Sequence, residues 1–186
     1  MIDNDANLPE KSLAYIEAEA EKEPVAFRHL VEDGYAMMLE LTHGLTNDQA
    51  TFRAEASATN VIEIVQHVAT VKRWCAKVCT ALAHAETPED PQGDALSGDD
   101  ASFGAVLLEL EGAHERMLDF AGSLWPLTDL TTRFAFEGVP AFNCKEWAVW
   151  QHLHDLYHAD EIRAIQADGG YPFTRQAPAG KFRSAA

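Results

Sequence analysis

Residues 147–165, WAVWQHLHDLYHADEIRAI, hold two histidines four positions apart, His154 and His158. On a helix, positions i and i+4 lie one above the other on the same face, so two imidazoles spaced this way can hold one metal ion. The apolar positions of the stretch are Trp147, Trp150, Ile162 and Ile165, which turns the pair toward the interior. A third histidine, His67, sits inside another apolar helical stripe made of Ile64, Val68, Val71, Trp74, Cys75, Val78 and Leu82. Alone, a histidine there reads as a neutral core residue with hydrogen-bonded nitrogens. With the pair elsewhere, the sharper reading is that His67, His154 and His158 meet at one divalent metal. The plainer reading is a polar knot of core histidines that binds none. Imidazole suits Zn, Ni, Fe or Cu, and Zn or Ni is expected ahead of Fe. Three neutral imidazoles leave zinc an open position for water or a thiol, and the metal lowers the pKa of either. A thiolate made this way attacks an electrophile such as an epoxide, a halide or an activated double bond. No general base can be named. Asp155 follows His154, but adjacent helix positions diverge by about 100°. The HDLYH string also lacks the glutamate of the H-E-x-x-H zinc proteases.

The other candidates read more plainly. His152 is two residues from His154 and so points to a different side of the helix. His29 is given no ligand role, and His43 reads as a favourable charge near a helix C-terminus. His114, beside Glu115 and Arg116, reads as surface. Cys75, Cys79 and Cys144 are odd in number and not in a C-x-x-C arrangement. They read as reduced, buried thiols, with a thiolate ligand or nucleophile as the lesser alternative. Trp147, Trp150 and Tyr157 read as core or interface aromatics, with a pocket wall as the alternative.

Four long amphipathic segments position these groups. Pro9 and the spacing of Leu13, Ile16 and Ala20 predict a short surface helix, ended by Pro24. A helix over 25–43 carries Phe27, Leu30, Val31, Tyr35, Met38 and Leu39, with Gly44 as its stop. A polar connection over 46–58 with one short turn leads to a helix over 60–84, opened by Asn60 and Glu63 as a capping box. Residues 86–100, rich in Pro, Gly, Asp and Ser, read as a long loop. The next helix spans 101–124. Phe134 and Phe136 before Glu137-Gly138 predict a short hairpin or an extended crossover, too small to form a sheet core. Asn143 and Glu146 cap the last helix, which Gly169-Gly170 stops. The expected class is all-α, a helix bundle with a short extra N-terminal helix. The expected division is an N-terminal tail and helix over 1–24, a bundle over 25–168 and a C-terminal tail over 169–186.

The chain has 186 residues and a net charge of −16, from 30 acidic and 14 basic residues. Phosphate binding needs clustered Lys and Arg, so nucleic acid and anionic membranes are not expected partners. No run approaches the ~20 apolar residues of a membrane span. The first residues carry neither the basic nor the apolar part of a secretory signal, which makes the cytoplasm the expected location.

His67 in NVIEIVQHVATVKRW, and His154 and His158 in HLHDLYHADEI, resemble the motif of the DinB-like (YfiT-like) superfamily. The resemblance covers roughly residues 25–168 and includes the continuation Ala159 to Ile162. It implies an up-down-down-up four-helix bundle with a divalent metal on His67, His154 and His158. It further implies a homodimer and a small-molecule substrate. Characterised members are often metal-dependent transferases that use a low-molecular-weight thiol as cosubstrate, among them bacillithiol and mycothiol. The corresponding expectation here is a thiol-dependent S-transferase. A non-catalytic, stress-related metal-binding bundle and a hydrolase using bound water are the alternatives. A common variant of the motif has Gln where this chain has Glu161.

Overall fold

The computed structural model describes residues 10–89, 102–124, 129–136 and 139–172. The chain forms α1 (Glu10–Ala20), α2 (Pro24–Thr42), α3 (Asn47–Thr51), α4 (Val61–Ala83), α5 (Phe103–Asp119), β1 (Phe134–Phe136), β2 (Val139–Phe142) and α6 (Cys144–Gln166). A π-helical turn, Phe120–Leu124, continues α5. The fold is thus almost wholly helical, as expected.

The helix starts follow from local chemistry. At α4, Glu63 N donates to Asn60 Oδ1 and Asn60 N to Glu63 Oε2, each at 3.0 Å. At α6, the same exchange joins Asn143 and Glu146 at 2.8 and 3.0 Å. Both satisfy amides that a helix start leaves without partners. A third capping box, between Thr46 and Gln49, starts α3 inside the expected polar connection. Pro24 occupies the first turn of α2, where its missing N–H costs nothing. Gly44 (φ +76°) follows the helix end in the left-handed region, which a glycine adopts without penalty. The hairpin forms with Phe134 opposite Phe142 and Phe136 opposite Val139. Trp147 Nε1 donates to Phe134 O at 3.1 Å, and Arg133 pairs with Glu146 at 2.9 Å, so the hairpin is held on the first turn of α6.

Helix α4 packs against α5 and α6, α2 against α6 and α5, and α1 against α6. As the spacing predicts, α1 lies on the surface with Ile16 and Ala20 buried against the core and packs on α6. Tyr171, beyond the last helix, is also buried and rests edge-on against Phe52.

The apolar interior is split in two. One cluster contains Phe27, Val31, Val71, Trp74, Cys75, Leu82, Met117, Phe120 and Trp147. The other contains Met38, Val61, Ile64, Val68, Phe103, Leu110, Ile162 and Ile165. Each long helix changes cluster partway along. The breaks contain Gly34 on α2, His114 on α5, and Gln151, His152, Asp155 and His158 on α6. On α4 the polar positions at the junction are His67 and Lys72. Apart from His67, these side chains are buried. A polar layer therefore crosses the molecule between two greasy halves.

His114 corrects the surface reading: it is 7 % exposed. Its charged neighbours in sequence point elsewhere. Its own spacing from Leu110 and Met117, four and three residues, puts it on the buried stripe of α5. The ring stacks on Tyr35 with centroids 3.9 Å apart.

Candidate metal centre

Helix α6 places His154 and His158 on one face, and α4 brings His67 against them. His154 Nε2 lies 3.1 Å from His67 Nε2 and 3.2 Å from His158 Nε2. The three ligand atoms fall within 4.8 Å of one another. Tetrahedral ligation at about 2.0–2.1 Å per zinc–nitrogen bond puts neighbouring nitrogens about 3.3 Å apart. The two short separations match that spacing. Hydrogen bonding does not account for them as well. A ring nitrogen carries either one proton or one lone pair, so His154 Nε2 can satisfy one of its two facing nitrogens but not both.

The electrostatics favour lone pairs over protons. Burial holds the His154 pKa well below the ordinary imidazole value, and His158, His67 and Lys72 add to the effect. His154 therefore stays neutral, the form that ligates a cation. His158 Nδ1 donates to Glu161 Oε2 at 2.6 Å, which leaves its Nε2 lone pair aimed at the other two rings. A carboxylate behind a histidine in this way is a common means of fixing ring orientation at a metal. Here Glu161 supplies that carboxylate. His154 Nδ1 is buried without a hydrogen-bond partner among the described residues. The chemistry and spacing of the donor set fit a divalent cation.

Aromatic rings flank the cluster. Trp150 lies 5.3 Å from His154 between centroids, and Tyr157 lies 5.1 Å from His158. Trp150 is 9 % exposed and Tyr157 56 %, so the cluster runs from the interior to the surface along α6. Trp147 is wholly buried among Trp74, Phe134 and Phe142, as a core residue.

Asp155 lies apart from the three ligand atoms. Its Oδ2 meets Lys72 Nζ at 2.5 Å and its Oδ1 accepts from Gln151 Nε2 at 2.8 Å. Both oxygens are engaged, which leaves Asp155 unsuited to act as a base. Lys72 escaped the sequence reading, although its spacing from Val68, Cys75 and Cys79 places it on the buried stripe of α4. His152 turns onto α2, toward the Leu30 backbone and Gly34, and stays outside the cluster. His29 is exposed on its own helix, as is His43 just beyond that helix's end.

The thiols are elsewhere. Cys75, Cys79 and Cys144 are buried thiols outside any disulfide. Burial and the neighbouring Cys75 push the Cys79 thiol well up, which keeps it protonated and unreactive. A surface groove of about 650 Å³ lies between the C-terminal ends of α4 and α5, lined by Lys77, His84, Arg116 and Phe120 among others. None of the three histidines lines it, and the donor atoms, not the groove, mark the chemistry.

No helix among the described residues is long and apolar enough to cross a membrane. No curated protein and no solved structure matches the chain. The family model of the DinB superfamily matches residues 30–162, a span that includes all three histidines, Glu161, Lys72 and Asp155. The match covers most of the chain, and the chain belongs to the DinB superfamily.

Proposed function

We propose that this protein is a divalent-metal-dependent enzyme that joins a low-molecular-weight thiol to a small electrophile. The observation that carries the reading is the convergence of three imidazole nitrogens within 4.8 Å of one another, two of their separations, 3.1 and 3.2 Å, close to tetrahedral spacing. His67, His154 and His158 are the ligands, and Glu161 holds His158 in the tautomer that ligates. When bound, the cation supplies a Lewis acid that lowers the pKa of a thiol or water placed against it. Trp150 limits water on the His154 side, and Tyr157 offers an aromatic face at the entrance. The chain provides no thiolate of its own, because its cysteines are buried and remote from the cluster, so the nucleophile comes with the substrate pair. Zn or Ni is the expected ion, with Fe next.

The same reading takes the four long helices as an up-down-down-up bundle. Helices α2 and α6 run from the first apolar cluster to the second, while α4 and α5 run the other way, which supports that order. It also takes the molecule as a cytoplasmic homodimer with no nucleic-acid partner.

The test is elemental analysis of the untagged protein followed by thiol and electrophile screening. About one metal per chain, with turnover that requires added thiol, supports the proposal. Turnover without thiol moves the reaction to water and makes the protein a hydrolase. A metal-loaded protein with no turnover in either screen leaves a metal-binding module and overturns the enzymatic reading.

A further inference from the structure

The ion pair of Lys72 and Asp155 is among the most deeply buried polar groups of the described residues, with side chains 1 % and 2 % exposed. Burying two charges costs desolvation that their attraction rarely exceeds, so stability alone is a weak reason for such a pair. Its location suggests another. Lys72 lies on α4, five residues after His67. Asp155 lies on α6, between His154 and His158, and Gln151, one turn earlier, holds its second oxygen. The pair therefore ties together the two helices that carry the ligands, at the level of the ligands. A third helix seats it. A Cβ on Gly34 of α2 would lie 2.9 Å from Asp155 Oδ2 and 3.2 Å from His152 Nδ1. Only a glycine lets α2 approach that closely while the carboxylate stays on Lys72 and Gln151.

We propose that Lys72 and Asp155, seated on Gly34 and braced by Gln151, are positioning residues that set the rotation of α6 and so bring His154 and His158 into register with His67. The inference rests on the metal reading above. The leverage is large. A rotation of about 10° moves an atom about 6 Å from a helix axis by about 1 Å. Metal–ligand distances tolerate only about 0.2 Å. A neutral, well-packed substitute for the pair would preserve the fold but leave the rotation of α6 less closely defined.

The test uses the full chain and two variants. Lys72→Met with Asp155→Asn removes both charges at similar volume. The net charge is unchanged, and removal of the Lys72 charge by itself favours a cation beside His154, so a loss of cation binding reports geometry. Gly34→Ala alters no charge and no hydrogen-bonding side chain, and pushes on Asp155 from a helix that carries no ligand. Zn²⁺ affinity is read by competition with a chromophoric chelator, and site geometry by the visible d–d bands of bound Co²⁺. Circular dichroism confirms that each variant is folded at the measuring temperature. The expected result is a loss of Zn²⁺ affinity of about tenfold or more in both variants, with altered Co²⁺ bands. If the double variant unfolds, Gly34→Ala decides alone. Parent-like affinity and bands in a folded variant overturn the proposal and make the pair a folding device only. A parent that binds neither ion overturns the metal reading itself, which shows before any variant is compared.

Discussion

Two polar groups lie side by side between the apolar halves of this molecule, and they are built on opposite rules. In the Lys72–Asp155–Gln151 group, positive charge meets negative charge, and each carboxylate oxygen has its donor. In the His67–His154–His158 group, three ring nitrogens converge with no opposite charge between them, and His154 is kept neutral by burial and by its neighbours. The first group balances its charges and both carboxylate oxygens within the chain, and leaves only Gln151 Oε1 without a partner among the described residues. The second is complementary to a cation. The difference teaches how to tell a buried structural device from a buried site: a structural device pairs its own charges, whereas a site gathers several groups of one kind at a common point.

The sharpest way to break the comparison is to remove one member of each group. His154→Ala should lower metal content from about one ion per chain to below about a tenth, because two imidazoles do not replace a three-nitrogen site. Elemental analysis after exhaustive buffer exchange measures it, and an unchanged content in the variant would remove the site from these residues. Asp155→Ala should strike the fold itself. It leaves Lys72 buried without a counter-charge, and should cost about 3–5 kcal/mol of folding stability in urea titrations of the metal-free protein. His154→Ala under the same metal-free conditions should cost much less, since it removes a ring whose Nδ1 is buried without a partner among the described residues. Equal losses would mean that the two groups do not differ in kind.

Adding ligand sharpens the contrast. Zn²⁺ at a free concentration of about 100 times its dissociation constant should stabilise the parent by about 2.7 kcal/mol. The gain should vanish in His154→Ala, as read from paired urea curves with and without the ion. Glu161→Ala should weaken Zn²⁺ binding by about tenfold, because His158 loses the acceptor that orients its ring. Chelator competition tests this, and parent-like affinity would make the Glu161 hydrogen bond incidental.

The smallest effect concerns His114, which shares the polar layer but joins neither group. Burial, then the charge of Lys72, lowers its pKa from 6.5 to about 4. The unfolded chain therefore binds the proton first as acid is added. The contribution of His114 to stability is fully present above about pH 6.5 and is lost as pH falls from there toward about 4. His114→Phe should flatten the fall in stability over that window. A slope equal to the parent's would show that other groups set the acid limb.

Much of this was legible in the chain itself. The caps at Asn60 and Asn143 act within three residues of sequence, so residue type alone announces them. The i, i+4 spacing of His154 and His158 and the apolar stripes of α4 and α6 follow from the helical repeat. The short hairpin was likewise readable from the alternation of Phe134 and Phe136 before a turn dipeptide. Exposure misled at His114, where charged neighbours in sequence masked a buried face. At α1 the spacing of Ile16 and Ala20 did announce the buried side of a surface helix.

What one helix does to itself was thus determined by sequence, because backbone geometry sets which side chains share a face. What two helices do to each other was decided only by the tertiary structure. His67 and His154 are 87 residues apart, and Lys72 and Asp155 83. The resemblance named the first meeting in advance, and the second went unread. Nothing local marks Lys72 as the partner of Asp155, or Gly34 as the seat beneath them. Those pairings depend on the rotation and approach of packed helices, which the summed burial of two apolar clusters determines and no short stretch of sequence records.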